Sequence, residues 1–284
     1  MILNSHILSS RLPENGYCIS VRIARRSEQD LVVKVLDEDP GVKINPSDDP
    51  HDFTISQLRD GSYPDLWLLS GGLLIFSTDD FSLAMGERND RSVDPYCWTN
   101  IVSGRCDRYW KAHIADELGE EWLAFGFVKR SKRWYRLTVN LFQLPAIAVP
   151  PIAESFLHQI PSYYKERSVS IKINQTGDFL SLNTFPFWKR IDIFWPDKSE
   201  TFSGIVMIDE ENHTIEIRQP AVVDLINFST KKLLYPEGTG RADWFPLREL
   251  IYLREKELAM EENHFTPFIR FLLDGLRNRA CAAI

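Results

Sequence analysis

Two apolar runs separated by three turn-forming residues constrain the fold of this chain more than any other segment. The first run is LWLLSGGLLIFS at residues 66–77, the turn is TDD at 78–80, and the second run is FSLAMGER at 81–88. Apolar runs of this length bounded by turn residues predict two β-strands joined as a hairpin. Ser and Gly interrupt the first run well short of a membrane span, so the pattern favours a buried sheet over a transmembrane helix.

The charge balance argues against broad electrostatic binding to nucleic acid or to anionic membranes. The chain carries 40 acidic and 33 basic residues, a formal net charge of −7. Its four cysteines are scattered without a CxxC pair, which predicts neither a zinc ribbon nor a disulfide framework. The N-terminal residues lack the basic and apolar regions of a signal peptide. We therefore expect a soluble cytoplasmic protein with no broad nucleic-acid binding and no membrane partner, although a local basic patch stays open.

Composition and periodicity divide the chain into three parts and predict an α+β protein. Residues 1–64 form a β-rich N-terminal extension, 65–253 form a central domain with an insertion around 150–202, and 254–284 form a C-terminal helical segment. Other candidate strands are Tyr17 to Ala24, Asp30 to Leu36, Ser168 to Asn174, Arg190 to Phe194, Gly204 to Ile208, Asn212 to Ile217 and Val222 to Ile226.

A terminal helix is predicted from about Arg248 to Arg279. Thr266-Pro267 predicts a break and restart within it, because proline cannot continue a helix interior. We expect this segment to pack on its own chain, with a homodimer as the alternative.

A segment of helical periodicity, from Arg108 to Leu123, carries the clearest chemical signal. Apolar residues fall four apart on one face, and the opposite face is acidic through Asp116, Glu117, Glu120 and Glu121. Glutamates three and four apart share a helix face and can converge on one point. Clustered carboxylate oxygens suit Mg²⁺ or Mn²⁺. The alternative is a solvated acidic helix face.

The context of this helix resembles the Nudix hydrolase family. The family's box runs from a Gly through a loop into a helix bearing Arg-Glu-aliphatic-x-Glu-Glu; this chain has Gly104 and then DELGEE at 116–121. Upstream, the hairpin ending in Arg88 and the segment WTNIVSG at 98–104 are similar to the family's approach to the box. Downstream, residues 236–253 look like its closing segment. The resemblance implies an αβα sandwich with a mixed sheet, extended by the N-terminal β-rich region and the C-terminal helix.

The same resemblance implies a function and its residues. It implies divalent-metal-dependent pyrophosphohydrolysis of a nucleoside diphosphate linked to another moiety, with Glu117, Glu120 and Glu121 holding Mg²⁺ or Mn²⁺. Glu120 is then a catalytic carboxylate. Glu237, in the loop before the closing strand, is a second candidate general base by analogy with relatives, and a turn residue in PEGTG is its alternative role.

The resemblance also suggests substrate contacts near the box. Arg88 is a candidate phosphate contact, and Gly104 is part of the loop beside the substrate. Trp98 is a candidate for base stacking, with a place in the core as its alternative role. His113 lies within the box helix, where we expect a solvated side chain on the polar face. The small-molecule partner would be nucleotide-like.

Departures from the family pattern support a second hypothesis. The loop between Gly104 and Glu117 is two residues shorter than the family's, Asp116 stands where the family has Arg, and Leu123 stands where it has Gly. Altered support around a metal site weakens binding or activity. The alternative is therefore a catalytically degenerate Nudix-like module that binds a nucleotide or a protein. A third hypothesis is an unrelated α+β interaction module.

Overall fold

The computed structural model describes residues 17–36, 42–43, 58, 63–77, 82–88, 94–117, 127–130, 133–140, 147–148, 168–172, 187–223, 239–260 and 264–282. Over these residues the chain is a mixed α/β structure with a large mixed sheet and three helices. The strands are β1 Tyr17–Cys18, β2 Ser20–Arg26, β3 Asp30–Val35, β4 Val42–Lys43, β5 Trp67–Ser77, β6 Ser82–Arg88, β7 Trp98–Asn100, β8 Val102–Arg105, β9 Phe127–Arg130, β10 Arg133–Asn140, β11 Ile147–Ala148, β12 Ser168–Lys172, β13 Trp188–Phe194, β14 Ser199–Asp209, β15 Thr214–Val223 and β16 Thr239–Pro246. The helices are α1 Trp110–Glu117, α2 Leu247–Met260 and α3 Pro267–Ala282.

The predicted hairpin is confirmed and lies at the centre of the large sheet. Strands β5 and β6 are antiparallel, with Phe76 opposite Leu83. Strand β5 also pairs with β2, β8 and β15. The sheet has ten strands, ordered β15-β14-β13-β3-β2-β5-β6-β16, with β7 against β6 and β8 against β5. Because β15 pairs back onto β5, six strands close into a ring: β5, β2, β3, β13, β14 and β15.

One strand prediction in the second half of the chain is wrong. The segments predicted as separate strands at 212–217 and 222–226 belong to one strand as far as Val223. A parallel ladder with β5 holds this strand together from Thr214, opposite Leu68, to Val223, opposite Ser77. Parallel pairing over ten positions comes from a distant segment, so local turn signals did not reveal it.

The side chains of β5 alternate between two hydrophobic cores on the two faces of the sheet. Leu69, Leu73 and Ile75 belong to the core that receives α1, whereas Leu74 and Phe76 belong to the core under α2 and α3. Successive strand residues point to opposite faces, and burial of both faces explains the nearly continuous apolar run. Helices therefore pack on both faces of this strand, while a Nudix-type sandwich stays a prediction.

The predicted break at Thr266-Pro267 is confirmed, because α2 ends at Met260 and α3 starts at Pro267. Glu257 stabilises the connection. Its Oε1 accepts hydrogen bonds from the backbone N–H groups of His264 (2.8 Å) and Phe265 (3.2 Å), and its Oε2 accepts one from Arg254 (2.7 Å). Asp274 of α3 pairs with the same arginine at 2.9 Å. This charged network is largely buried and joins the two helices.

Strands from all parts of the chain share the large sheet. Strands β2 and β3 come from the predicted N-terminal extension, and β13 comes from the predicted insertion and pairs with β3 in parallel. The predicted boundaries near 64, 253 and around 150–202 stay predictions. None of the helices in the described part of the chain is long and apolar enough to cross a membrane.

Candidate metal centre on helix α1

Helix α1 lies close against the sheet because two glycines in register remove the side chains beneath it. Gly71 of β5 is directly opposite Gly104 of β8. A Cβ atom at Gly71 would lie 2.6 Å from Trp110 Cζ3 and 2.8 Å from His113 Cδ2, closer than real Cβ contacts allow. Any larger residue at that position would push the helix away from the sheet.

Trp110, the first residue of α1, anchors the helix in the core. The side chain is fully buried, and its ring stacks on Phe202 with the centroids 4.5 Å apart. The indole Nε1–H donates to Gln219 Oε1 at 2.7 Å, which satisfies the one polar group of this side chain. Ile114 is also fully buried one turn later. The predicted apolar stripe is confirmed at these two positions; its continuation at Leu118 lies outside the described residues.

The prediction that His113 is solvated is wrong, since its side chain is 2 % exposed. The ring fits against the backbone of Gly71. Burial lowers the pKa of His113 to about 4, opposed by the negative charge of Asp107 and the backbone of Gly71. His113 is therefore neutral at physiological pH. Its Nε2 atom is buried without a partner of good hydrogen-bond geometry.

Glu117, a predicted metal ligand, is the last described residue of α1 and its side chain is 15 % exposed. Its carboxylate lies over Gly104: a Cβ atom there would lie 2.5 Å from Oε2 and closer still to Oε1. His113 Nδ1 is 3.8 Å from Oε1. The structure thus brings together Gly104 and Glu117, two residues that the sequence singled out. A half-buried carboxylate in a hollow that only glycine leaves open fits a hard divalent cation as one ligand.

The other predicted metal and base residues lie outside the described part of the chain. These are Glu120, Glu121 and Glu237. Among the described residues, no three His, Cys, Asp or Glu side chains are grouped to hold a metal ion. The proposed metal site therefore depends on the carboxylate of Glu117, whose position is known, and on those of Glu120 and Glu121, which follow it by three and four residues in the sequence.

The predicted substrate residues Arg88 and Trp98 lie near each other on paired strands. Arg88 ends β6, and its backbone N–H donates to Cys97 O at 3.0 Å. Trp98 opens β7, where its ring meets Phe245 edge-on at 4.7 Å. The backbone N–H of Trp98 also donates to His264 O at 2.7 Å. This environment ties Trp98 to the core under α2 and α3, and its role in substrate binding stays a prediction.

A buried ion pair on β15 was not found from the sequence. Arg218 donates to Glu216 Oε2 at 2.8 Å and to Asn100 Oδ1 at 3.3 Å, and its side chain is 4 % exposed. Burial raises the pKa of Glu216, and the Arg218 guanidinium opposes that shift. Arg218 is opposite Gly72, so its side chain and the Gly71–Gly104 pair occupy opposite faces of the sheet. The only sign of this ion pair in the sequence is that Glu216 and Arg218 alternate with Ile215 and Ile217.

No protein-family model matches this chain, and none of the curated proteins does. Among solved structures, the chain is similar to a NUDIX hydrolase from Nitrosomonas europaea, with 12 % sequence identity over 74 % of this chain and 88 % of that one. The TM-score is 0.31. A likeness this weak carries no argument about fold or activity.

Proposed function

We propose that this protein is a divalent-metal-dependent pyrophosphohydrolase of the Nudix type, acting on a nucleoside diphosphate linked to another moiety. The placement of Glu117 is the observation that supports this proposal most. Its carboxylate is held at the end of a helix that is fixed to the sheet, in a hollow over Gly104.

Glu117, Glu120 and Glu121 are the residues that would hold Mg²⁺ or Mn²⁺. Residues three and four apart lie on one face of a helix, so continuation of α1 by one turn would bring the three carboxylates together. When bound, the cation supplies positive charge that offsets the charge of the phosphate oxygens.

The rest of the chemistry falls to side chains of the chain. Hydrolysis adds water across the P–O–P linkage: one P–O bond forms, one breaks, and a carboxylate accepts a proton from the attacking water. Glu120 and Glu237 are our candidates for that base. Arg88 would donate hydrogen bonds to phosphate oxygens.

The second candidate function is a Nudix-like module that binds a nucleotide or a protein without turning it over. The shortened loop after Gly104 and the acidic Asp116 favour it, because a second anion replaces the cation that orients the metal-binding glutamate in the family. A cytoplasmic location and a homodimer stay predictions.

Calorimetric titration of Mn²⁺ into the wild-type protein and into a Glu117→Gln/Glu120→Gln variant tests the proposal. We expect binding by the wild type and its loss in the variant. A Glu210→Gln variant is the matched control, since Glu210 is 71 % exposed and pairs with Arg26 on a different part of the sheet.

Release of nucleoside monophosphate from a panel of diphosphate-linked nucleosides then separates the two functions. Mn²⁺-dependent release that the double variant loses supports the hydrolase. Binding of a panel compound without release at any Mn²⁺ concentration supports the binding module. A wild-type protein that binds no Mn²⁺ would refute the metal-dependent hydrolase.

A further inference from the structure

The tip of the β13–β14 hairpin meets the first turn of α1 through a buried carboxylate. Glu200 Oε2 accepts a hydrogen bond from the backbone N–H of Trp110 at 2.9 Å and another from Trp195 Nε1 at 2.8 Å. The Glu200 side chain is 10 % exposed, and Lys198 Nζ is 3.6 Å from its Oε1. Glu200 therefore satisfies a backbone donor at the helix start, which has no acceptor within the helix.

A second pair of residues connects the same two elements. The hydroxyl of Tyr109 donates to the carboxylate of Asp197, with 2.6 Å to Oδ1. Lys198 Nζ lies 3.1 Å from the centre of the Tyr109 ring, and the Trp195 ring meets that ring edge-on at 4.8 Å. Burial is the main cause that raises the pKa of Tyr109, and the hydrogen bond to Asp197 raises it further. The hydroxyl therefore stays protonated and can donate to Asp197.

These contacts fix the end of α1 opposite to the candidate metal ligand. From Trp110 to Glu117 the helix rises about 10 Å at 1.5 Å per residue. The described part of the helix spans eight residues, and it is held at its start by Glu200 and Gln219 and along its length by the contact of His113 with Gly71. A tilt or slide at Trp110 would therefore move the Glu117 carboxylate in its hollow over Gly104.

We propose that Glu200 is a positioning residue that fixes helix α1 and thereby sets the divalent-metal affinity of the site at Glu117. The link to metal affinity rests on the proposed function. The backbone N–H of Trp110 and the indole N–H of Trp195 both donate to one carboxylate oxygen of Glu200. A carboxylate oxygen is a stronger acceptor than a neutral group. The hairpin tip comes from a strand 90 positions away, so this part of the sheet contributes to a site that it does not touch.

Three variants of Glu200 separate positioning from charge. Both donors meet the same oxygen, so the amide oxygen of Glu200→Gln can accept both hydrogen bonds, although the attraction to Lys198 is lost. Glu200→Ala removes the acceptor. Glu200→Met also removes the acceptor but fills most of the space of the glutamate side chain. It replaces the alanine variant in the test if that variant does not fold. Glu210→Ala removes an exposed carboxylate from the β14–β15 turn as the control.

The first measurement is calorimetric titration of Mn²⁺ alone, in conditions where circular dichroism shows every variant folded. We expect Glu200→Ala and Glu200→Met to bind Mn²⁺ 10- to 100-fold more weakly, the range typical of residues that orient metal ligands, and Glu200→Gln to stay within about threefold of the wild type. Equal affinity in all the variants would overturn the proposal. Equal weakening by Gln and Ala would also overturn it, because charge rather than positioning would then be the cause.

The second measurement, amide hydrogen exchange of residues 109–117, needs neither metal nor substrate. We expect at least tenfold faster exchange in Glu200→Ala, confined to this segment, and rescue by Glu200→Gln. Unchanged exchange would overturn the positioning role even if the protein is a hydrolase. A wild type that binds no Mn²⁺ would instead refute the proposed function and with it the effect on metal affinity, while the exchange result would still decide whether Glu200 fixes the helix.

Discussion

Replacing Gly104 by alanine tests whether the hollow beneath Glu117 holds that carboxylate in place for a metal. The new Cβ would lie 2.5 Å from Glu117 Oε2, whereas real Cβ atoms essentially never approach a neighbour within 3.0 Å. The carboxylate must therefore move by more than about 0.5 Å. Metal–ligand distances tolerate only about ±0.2 Å, so this displacement is large enough to remove Glu117 as a ligand. We expect Mn²⁺ affinity to fall at least tenfold.

The same substitution should leave the fold intact. The atoms that the new methyl group meets are the end of a flexible side chain, and that end can rotate toward solvent. Alanine in a strand also restricts the unfolded chain, which stabilises by about 0.4–1 kcal/mol where the backbone permits it. The midpoint of thermal unfolding should therefore stay unchanged or rise slightly while metal affinity falls.

A double-mutant cycle decides whether the effect acts through Glu117. Mn²⁺ affinity is measured by calorimetry for the wild type, Gly104→Ala, Glu117→Ala and the double variant. If the methyl group acts by displacing the carboxylate, Gly104→Ala has no further effect once Glu117 is alanine. Equal effects of Gly104→Ala in both backgrounds, or no effect in the wild type, would refute the reasoning.

Three further predictions concern stability. Gly71→Ala, whose Cβ would meet the fixed rings of Trp110 and His113, should lower the free energy of unfolding by about 1–3 kcal/mol in urea titrations, in contrast to Gly104→Ala. The free energy of unfolding should fall by up to about 3 kcal/mol as the pH is lowered from 6.5 to 4, because over this range His113 binds a proton in the unfolded chain but stays neutral in the folded chain, where its pKa is about 4. A His113→Gln variant should lose this part of the pH dependence, and an unchanged pH profile of that variant would contradict the assignment to His113. Glu257→Ala should cost about 1–3 kcal/mol, because it leaves Arg254 Nη1 and two backbone N–H groups without their acceptor while Asp274 still pairs with Arg254; a loss below 1 kcal/mol would show that the network between α2 and α3 is not stabilising.

The central hairpin and the helix break were predictable because their signals are local. The runs on either side of residues 78–80 have strand composition, and a proline restarts the terminal helix whatever packs on it. Trp110 and Ile114 were placed on one face of α1 for the same reason: helical geometry alone puts residues four apart together.

The candidate site was predictable only in part. Glu117 was singled out from the spacing of the glutamates on the helix and Gly104 from the resemblance to the Nudix box, and the structure places the carboxylate of one over the backbone of the other. The burial of His113 was missed, because the periodicity of a helix shows only which face is polar. It does not show that Gly71 on a neighbouring strand lets the sheet cover the His113 side chain. Glu200 carried no signal, since nothing near it in sequence indicates that it accepts from Trp110.

The sequence by itself determined the position of the central hairpin and of the helix break and singled out Gly104 and Glu117, because propensity, turn residues and periodicity act over a few neighbouring positions. Only the tertiary structure decided the parallel pairing of β15 with β5, the face of the sheet on which α1 lies, and the contact of Glu200 with the start of that helix. These features depend on which distant segments meet and in what register. The pairing and register of distant segments are set by how all the apolar faces are buried together. No short stretch of sequence carries that information.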